Sequence, residues 1–166
     1  LNLAAKVFVK EITQEVSIEK TPKANISFAG INKPAPYFEL FDANGNKTKL
    51  SDFLDSPLVL VFWTTWNQSA ADQIKILDEY AAKSRDTLFK VATINNQEDK
   101  SVVSNFTRRG GYIILVLLDE NGAIGESYQI KTLPTAFFID TKGIIKDTFT
   151  GIMSEEILLE KIENII

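Results

Sequence analysis

A chain of 166 residues with 45% hydrophobic content has the length for one domain with a packed core and an extra arm. It contains neither cysteine nor histidine, which removes thiol chemistry, Ser-His-Asp catalysis, imidazole-bound zinc or copper and ordinary haem ligation. The net charge is −4 with both signs interspersed, so nucleic acid has no basic stripe to bind and no apolar run reaches the length of a bilayer span.

The first 29 residues are read as an N-terminal extension ahead of a domain at 30–166. Residues 6–10 and 14–19 alternate in polarity as strands do, and 21–25 form a polar turn. The extension is therefore a hairpin or edge strand, or else a stalk. Asp42-Ala43-Asn44-Gly45-Asn46 predicts a turn between two strands and lacks the spaced ligands and closing glutamate of a calcium loop. Residues 58–64 are an apolar, β-rich run of the kind buried on both faces in a central strand. Behind it Ala70, Ile74, Leu77 and Ala81 recur at helical spacing and predict a helix over 68–84. A strand over 88–94, a helix over 100–109 burying Val102, Val103 and Phe106, and a strand over 113–118 follow. Residues 135–139 and 144–149 flank a turn at Thr141-Lys142-Gly143 as an antiparallel pair. Ser154 is a natural N-cap for a last helix carrying Ile157, Leu158, Ile162 and Ile165. Strands alternating with helices and closing on a hairpin and a helix predict an α/β sheet covered on both faces.

Several motifs stand in a common order. Asn32-Lys33-Pro34-Ala35-Pro36-Tyr37-Phe38-Glu39-Leu40 is followed by Asp42 to Gly45 and then Leu50-Ser51-Asp52-Phe53. Phe62-Trp63-Thr64-Thr65-Trp66-Asn67-Gln68-Ser69-Ala70 comes next, and Leu117 to Gly122, Tyr128-Gln129-Ile130 and Leu133-Pro134-Thr135 complete the series. From about Gly30 to the C-terminus the chain resembles the thioredoxin-like superfamily, specifically the TlpA-like thiol-disulfide oxidoreductases and the AhpC/TSA (redoxin) family. The resemblance implies a thioredoxin fold, with a central mixed β-sheet flanked by helices. It also implies a place outside the cytoplasm, periplasmic or membrane-anchored, and a chain opening at Leu1 reads as a trimmed or mature form.

The departure from the family lies at its reactive centre. Asn67 and Ala70 stand where the two redox cysteines belong, so thiol-disulfide exchange has neither a nucleophile nor a resolving thiol. Asparagine at the start of a helix is a strong N-cap, and Ser69 with Asp72 offers a competing capping box. Ala70 fits the buried place of the second cysteine. Gln73 and Lys75 replace the acidic residue and the proline that many members carry. Trp63 and Trp66 are either core or a peptide-gripping surface. The residues Thr64-Thr65-Trp66-Asn67 are similar to the peroxiredoxin T-x-x-C arrangement, with Arg108 and Arg109 as an activating cation or as a solvated helix end. Pro134 matches the family's cis proline, and Leu133 before it takes the position that offers backbone hydrogen bonds to an extended peptide, unless the turn persists for the fold alone.

Three functions are compatible with these residues. The first is a redox-inert module that binds a protein or extended peptide through Trp66, Asn67, Gln68, Leu133 and Pro134, with no cofactor, metal, nucleic acid or membrane insertion. The second is an oxidoreductase whose cysteines have been substituted. The third is an enzyme of another chemistry, for which Thr64, Thr65, Ser69 and Asp72 are the polar candidates.

Overall fold

The computed structural model describes residues 27–83 and 88–166. The strands and turn expected over 6–25 lie outside the described residues. Strands β1 (Glu39–Asp42) and β2 (Lys47–Lys49) form an antiparallel hairpin, and a 3-10 turn spans Leu50–Phe53. Then follow β3 (Leu58–Trp63), α1 (Gln68–Lys83), β4 (Lys90–Asn96), α2 (Lys100–Gly110) and β5 (Val116–Asp119). The chain closes with α3 (Ala123–Ser127), β6 (Thr135–Ile139), β7 (Ile145–Thr150) and α4 (Glu155–Glu163). The seven strands make one mixed sheet in the order β2-β1-β5-β4-β3-β6-β7, with β3 parallel to β4 and antiparallel to β6.

The apolar alternation of β3 feeds both faces of this sheet. Val59, Val61 and Trp63 pack with Ala70, Ile74 and Leu77 of α1, Val103 of α2 and Leu158 and Ile162 of α4. Leu58, Leu60 and Phe62 face the other way, into Phe38, Phe53 and Tyr128. A strand with six fully buried residues in the middle of the sheet anchors the loop that follows it. The 42–46 turn forms as expected: the Asp42 carboxylate accepts from the backbone of Asn44 and Asn46, and Gly45 takes φ +86°, a region in which side chains are rare.

Three local expectations are corrected by the structure. The strand expected over 88–94 runs instead from Lys90 to Asn96, because Leu88 lies exposed and the ladder continues through Asn95 against Trp63. The strand expected from residue 113 begins at Val116, since the N–H groups of Ile113 and Ile114 both donate to the Asp78 carboxylate, each at 2.7 Å. Val102, expected in the core, is exposed on α2, whose buried residue is Val103. The short helix α3 has no counterpart in the sequence reading. The Ser154 cap is present, its hydroxyl accepting from the N–H of Ile157 at 3.3 Å. No helix among the described residues is long and apolar enough to cross a membrane.

Candidate functional site

The loop from β3 into α1 is held from the side by Glu98, which lies in the β4–α2 connection. The Glu98 carboxylate accepts from the Thr65 backbone N–H at 2.7 Å, the Thr65 hydroxyl at 2.5 Å and the Asn95 side-chain amide at 2.6 Å. Hydrogen bonds to an ionised acceptor are about twice as strong as neutral ones, so this carboxylate pins the backbone just before Trp66. With Thr65 held, the Trp66 ring projects into solvent at 72% exposure, whereas Trp63 is wholly buried against Phe106. The two tryptophans thus take opposite roles, core for Trp63 and surface for Trp66.

Asn67 begins α1 and uses both ends of its side-chain amide. Its oxygen accepts from the Ala70 N–H at 3.1 Å, which caps the helix, and its nitrogen donates to the Leu133 carbonyl at 3.2 Å. The alternative cap at Ser69 does not form, since Asp72 accepts instead from the Gln68 amide at 2.9 Å. The Leu133–Pro134 bond is cis in the structure, and Pro134 is buried while Leu133 is partly so. Residues 66 positions apart are therefore stapled together by a single amide. Ala70 is fully buried among Ile74 and the β3 side chains, as a small apolar residue at that place should be. Gln68 is exposed on the first turn of α1.

Replacing Asn67 by alanine removes the cap and the link to Leu133 together. A cap is worth about 1 kcal/mol and an ordinary hydrogen bond a similar amount. Asn67→Ala is expected to lower the unfolding free energy by about 1–2 kcal/mol, read as a lower urea midpoint at unchanged slope. Asn67→Asp keeps the acceptor for Ala70, loses the donor to Leu133, and should fall between the two.

Gln73, one turn into α1, was noticed in the sequence for what it replaces and not for what it holds. It is 1% exposed, its Nε2 donates to the Met153 carbonyl at 3.2 Å, and its Oε1 accepts from the Met153 N–H. The side chain thereby ties the site helix to the segment between β7 and α4. Glu98 and Asn95 were missed altogether, and the only available signal was a polar run, Asn95 to Asp99, between a strand and a helix. Thr64 is buried, Thr65 is committed to Glu98 and Asp72 to Gln68, so the polar candidates for another chemistry do not converge on one point. Among the described residues no cluster of three or more carboxylates could hold a metal ion.

Residues 31–148 match the AhpC/TSA family. The chain belongs to the AhpC/TSA family. It is 28% identical over 135 residues to the thiol-disulfide oxidoreductase ResA of Geobacillus kaustophilus, covering 81% of this chain and 78% of that protein. Among solved structures it is similar to a thiol:disulfide interchange protein DsbE from Chlorobium tepidum, with a TM-score of 0.72 and 25% identity over 81% of this chain and 95% of that one. It is also similar to the pneumococcal exposed lipoprotein thioredoxin Etrx1 of Streptococcus pneumoniae, with a TM-score of 0.69, 27% identity and coverage of 76% and 98%. The fold is the thioredoxin fold, with the mixed sheet flanked by helices. Within this AhpC/TSA chain, the first turn of α1 carries Asn67 and Ala70, and the sequence holds no cysteine.

Proposed function

We propose that this protein is a redox-inactive AhpC/TSA family member that binds a protein or extended-peptide partner through Trp66, Asn67, Gln68, Leu133 and Pro134. The observation that carries the reading is the Asn67 amide bridge, which joins the N-terminus of α1 to the Leu133 carbonyl without sulfur. The bridge preserves the groove while occupying one of its backbone acceptors. The Leu133 N–H makes no backbone hydrogen bond among the described residues, so an incoming peptide finds one donor there and the exposed Trp66 ring beside it. Aromatic rings of this kind supply much of the affinity in protein interfaces. By similarity to the exposed lipoprotein thioredoxin, the protein is proposed to work outside the cytoplasm.

Two measurements test the reading. The unmodified chain should show no insulin reduction and no peroxide consumption above a no-protein control, because no thiol is present to attack. On an array of extended peptides, wild type should retain a subset that Trp66→Ala and Leu133→Glu each bind at least about tenfold more weakly, the scale of an interface hot spot, with the melting temperature of Trp66→Ala, whose ring is exposed, close to wild type. Turnover in a preparation free of contaminating thioredoxin, or a peptide set unaffected by either substitution, would overturn it. The names of the relatives favour a second reading, an oxidoreductase whose two cysteines have been substituted. The sequence of the native gene decides between the two.

A further inference from the structure

Beside the pinned loop a cavity of about 530 Å3 opens between Thr65 and the outer face of α2, lined by Val102, Asn105, Phe106, Arg109 and Tyr112. One wall is aromatic: Phe106 packs on the buried Trp63 at 5.3 Å between ring centroids and on Tyr112 at 5.6 Å. Tyr112 can lie there because residue 110 is glycine. A Cβ at Gly110 would fall 2.3 Å from the tyrosine ring. Val102 adds exposed apolar surface at the rim.

Two polar side chains of the cavity, Asn105 and Arg109, keep N–H groups without a partner among the described residues. Arg108 donates to the Asn105 side-chain oxygen at 2.8 Å, which orients the Asn105 amide and leaves its N–H groups to spare. Arg109, by contrast, makes no salt bridge and no side-chain hydrogen bond among the described residues, in a chain whose net charge is −4. The Thr65 hydroxyl is committed to Glu98, whose charge is met by three donors. An apolar floor with a free guanidinium and a free amide at its edge complements a carboxylate carried on an apolar segment.

We propose that this cavity receives an acidic side chain of the partner protein, paired with Arg109 and Asn105, while the apolar residue next to it covers Val102 and Phe106. The proposal rests on the reading of this protein as a binding module and places the partner's charged anchor outside the Leu133 groove. An acidic side chain meets an unpaired cation here in a chain of net charge −4, so the contact supplies orientation as well as affinity.

The test is a titration of the 15N-labelled chain with acetyl-Leu-Phe-Glu-amide and with its glutamine counterpart, followed by NMR. The glutamate peptide should give saturable shifts at Val102, Phe106, Arg109 and Tyr112. The glutamine peptide, or the Arg109→Gln variant, should bind about tenfold or more weakly, as expected on losing a charge-assisted hydrogen bond. Lys142→Gln, at the exposed turn between β6 and β7 and outside the cavity, should change affinity less than about twofold. Gly110→Ala, which displaces the tyrosine ring, should weaken binding with the net charge unchanged. Equal affinity for both peptides, or no saturable shift up to about 10 mM peptide, would overturn the proposal. Shifts gathered at Trp66 and Leu133 and indifferent to Arg109→Gln would overturn the cavity and leave the groove reading standing.

Discussion

Gln73→Leu is expected to cost about 3–5 kcal/mol of stability, far more than a surface substitution. The side chain is buried and pairs with both the N–H and the carbonyl of Met153, itself 1% exposed. Leucine leaves that donor and acceptor without partners or water, at about 1–3 kcal/mol each, and adds the lost hydrogen bonds. Urea unfolding gives the value directly, and a loss under about 1 kcal/mol would show that the Met153 segment finds other partners. Gln73→Glu makes a sharper demand. A protonated glutamic acid can still donate to the Met153 carbonyl, whereas the ionised form faces that carbonyl with an uncompensated charge, so its folded pKa lies above the unfolded value of about 4.3. The native state then holds more protons than the unfolded state between those two values. Stability of the variant is therefore greatest below about pH 4 and falls as the pH rises through the folded pKa. Stability that is flat or rising between about pH 4 and pH 8, relative to wild type, would contradict the assignment.

The second large effect is chemical. Asn67→Cys combined with Ala70→Cys should convert a chain without a thiol into one that forms an intramolecular disulfide. Positions three apart in the first turn of a helix lie within the Cα separation of about 4.4–6.8 Å that a disulfide accepts. The Ala70 N–H that now donates to the Asn67 oxygen is aimed at the place the new sulfur takes. A thiolate there gains a backbone donor and the positive end of the α1 dipole, so the thiol introduced at position 67 should titrate well below the ordinary value of about 8.5. The loss of the link to Leu133 and the overpacking of a fully buried Ala70 should cost about 1–3 kcal/mol of stability in the reduced form. Thiol counting before and after oxidation, with a pH titration of the thiolate absorbance, measures both. Two persistent free thiols, or an ordinary thiol pKa, would mean that the local geometry has departed from that of a redox site.

Local order carried much of this architecture. Residues 58–63 read as a central strand because an unbroken apolar run of that length must be covered on both sides, and it is. The Asp42 turn and the Ser154 cap were legible for a related reason, since each is satisfied by side chains and N–H groups a few residues apart, whereas the choice between Asn67 and Ser69 as the cap of α1 was left to the structure, which takes Asn67. Where polarity and burial part company the reading failed. Asn95 continues β4 although it is polar, because the ladder with Trp63 and the Glu98 carboxylate supply its partners. Ile113 leaves the expected strand although it is apolar, because Asp78 takes its N–H.

The candidate site divides along the same line. Sequence alone established that no thiol or imidazole is available and that the motif order is that of the AhpC/TSA family, and the resemblance implied that Asn67 and Ala70 stand at the redox positions. Those are statements of residue identity and short-range order, which the chain carries before it folds. Only the tertiary structure decided that Trp66 is exposed and Trp63 buried, that Glu98 grips Thr65, that Gln73 binds Met153, and that one asparagine amide reaches Leu133. Each of those contacts joins residues 33 to 80 positions apart. Their formation depends on where β3, β4 and β6 come to lie in the sheet, and on packing that excludes water from the groups involved. Periodicity and capping signals act within a turn or a strand and hold no record of that closure.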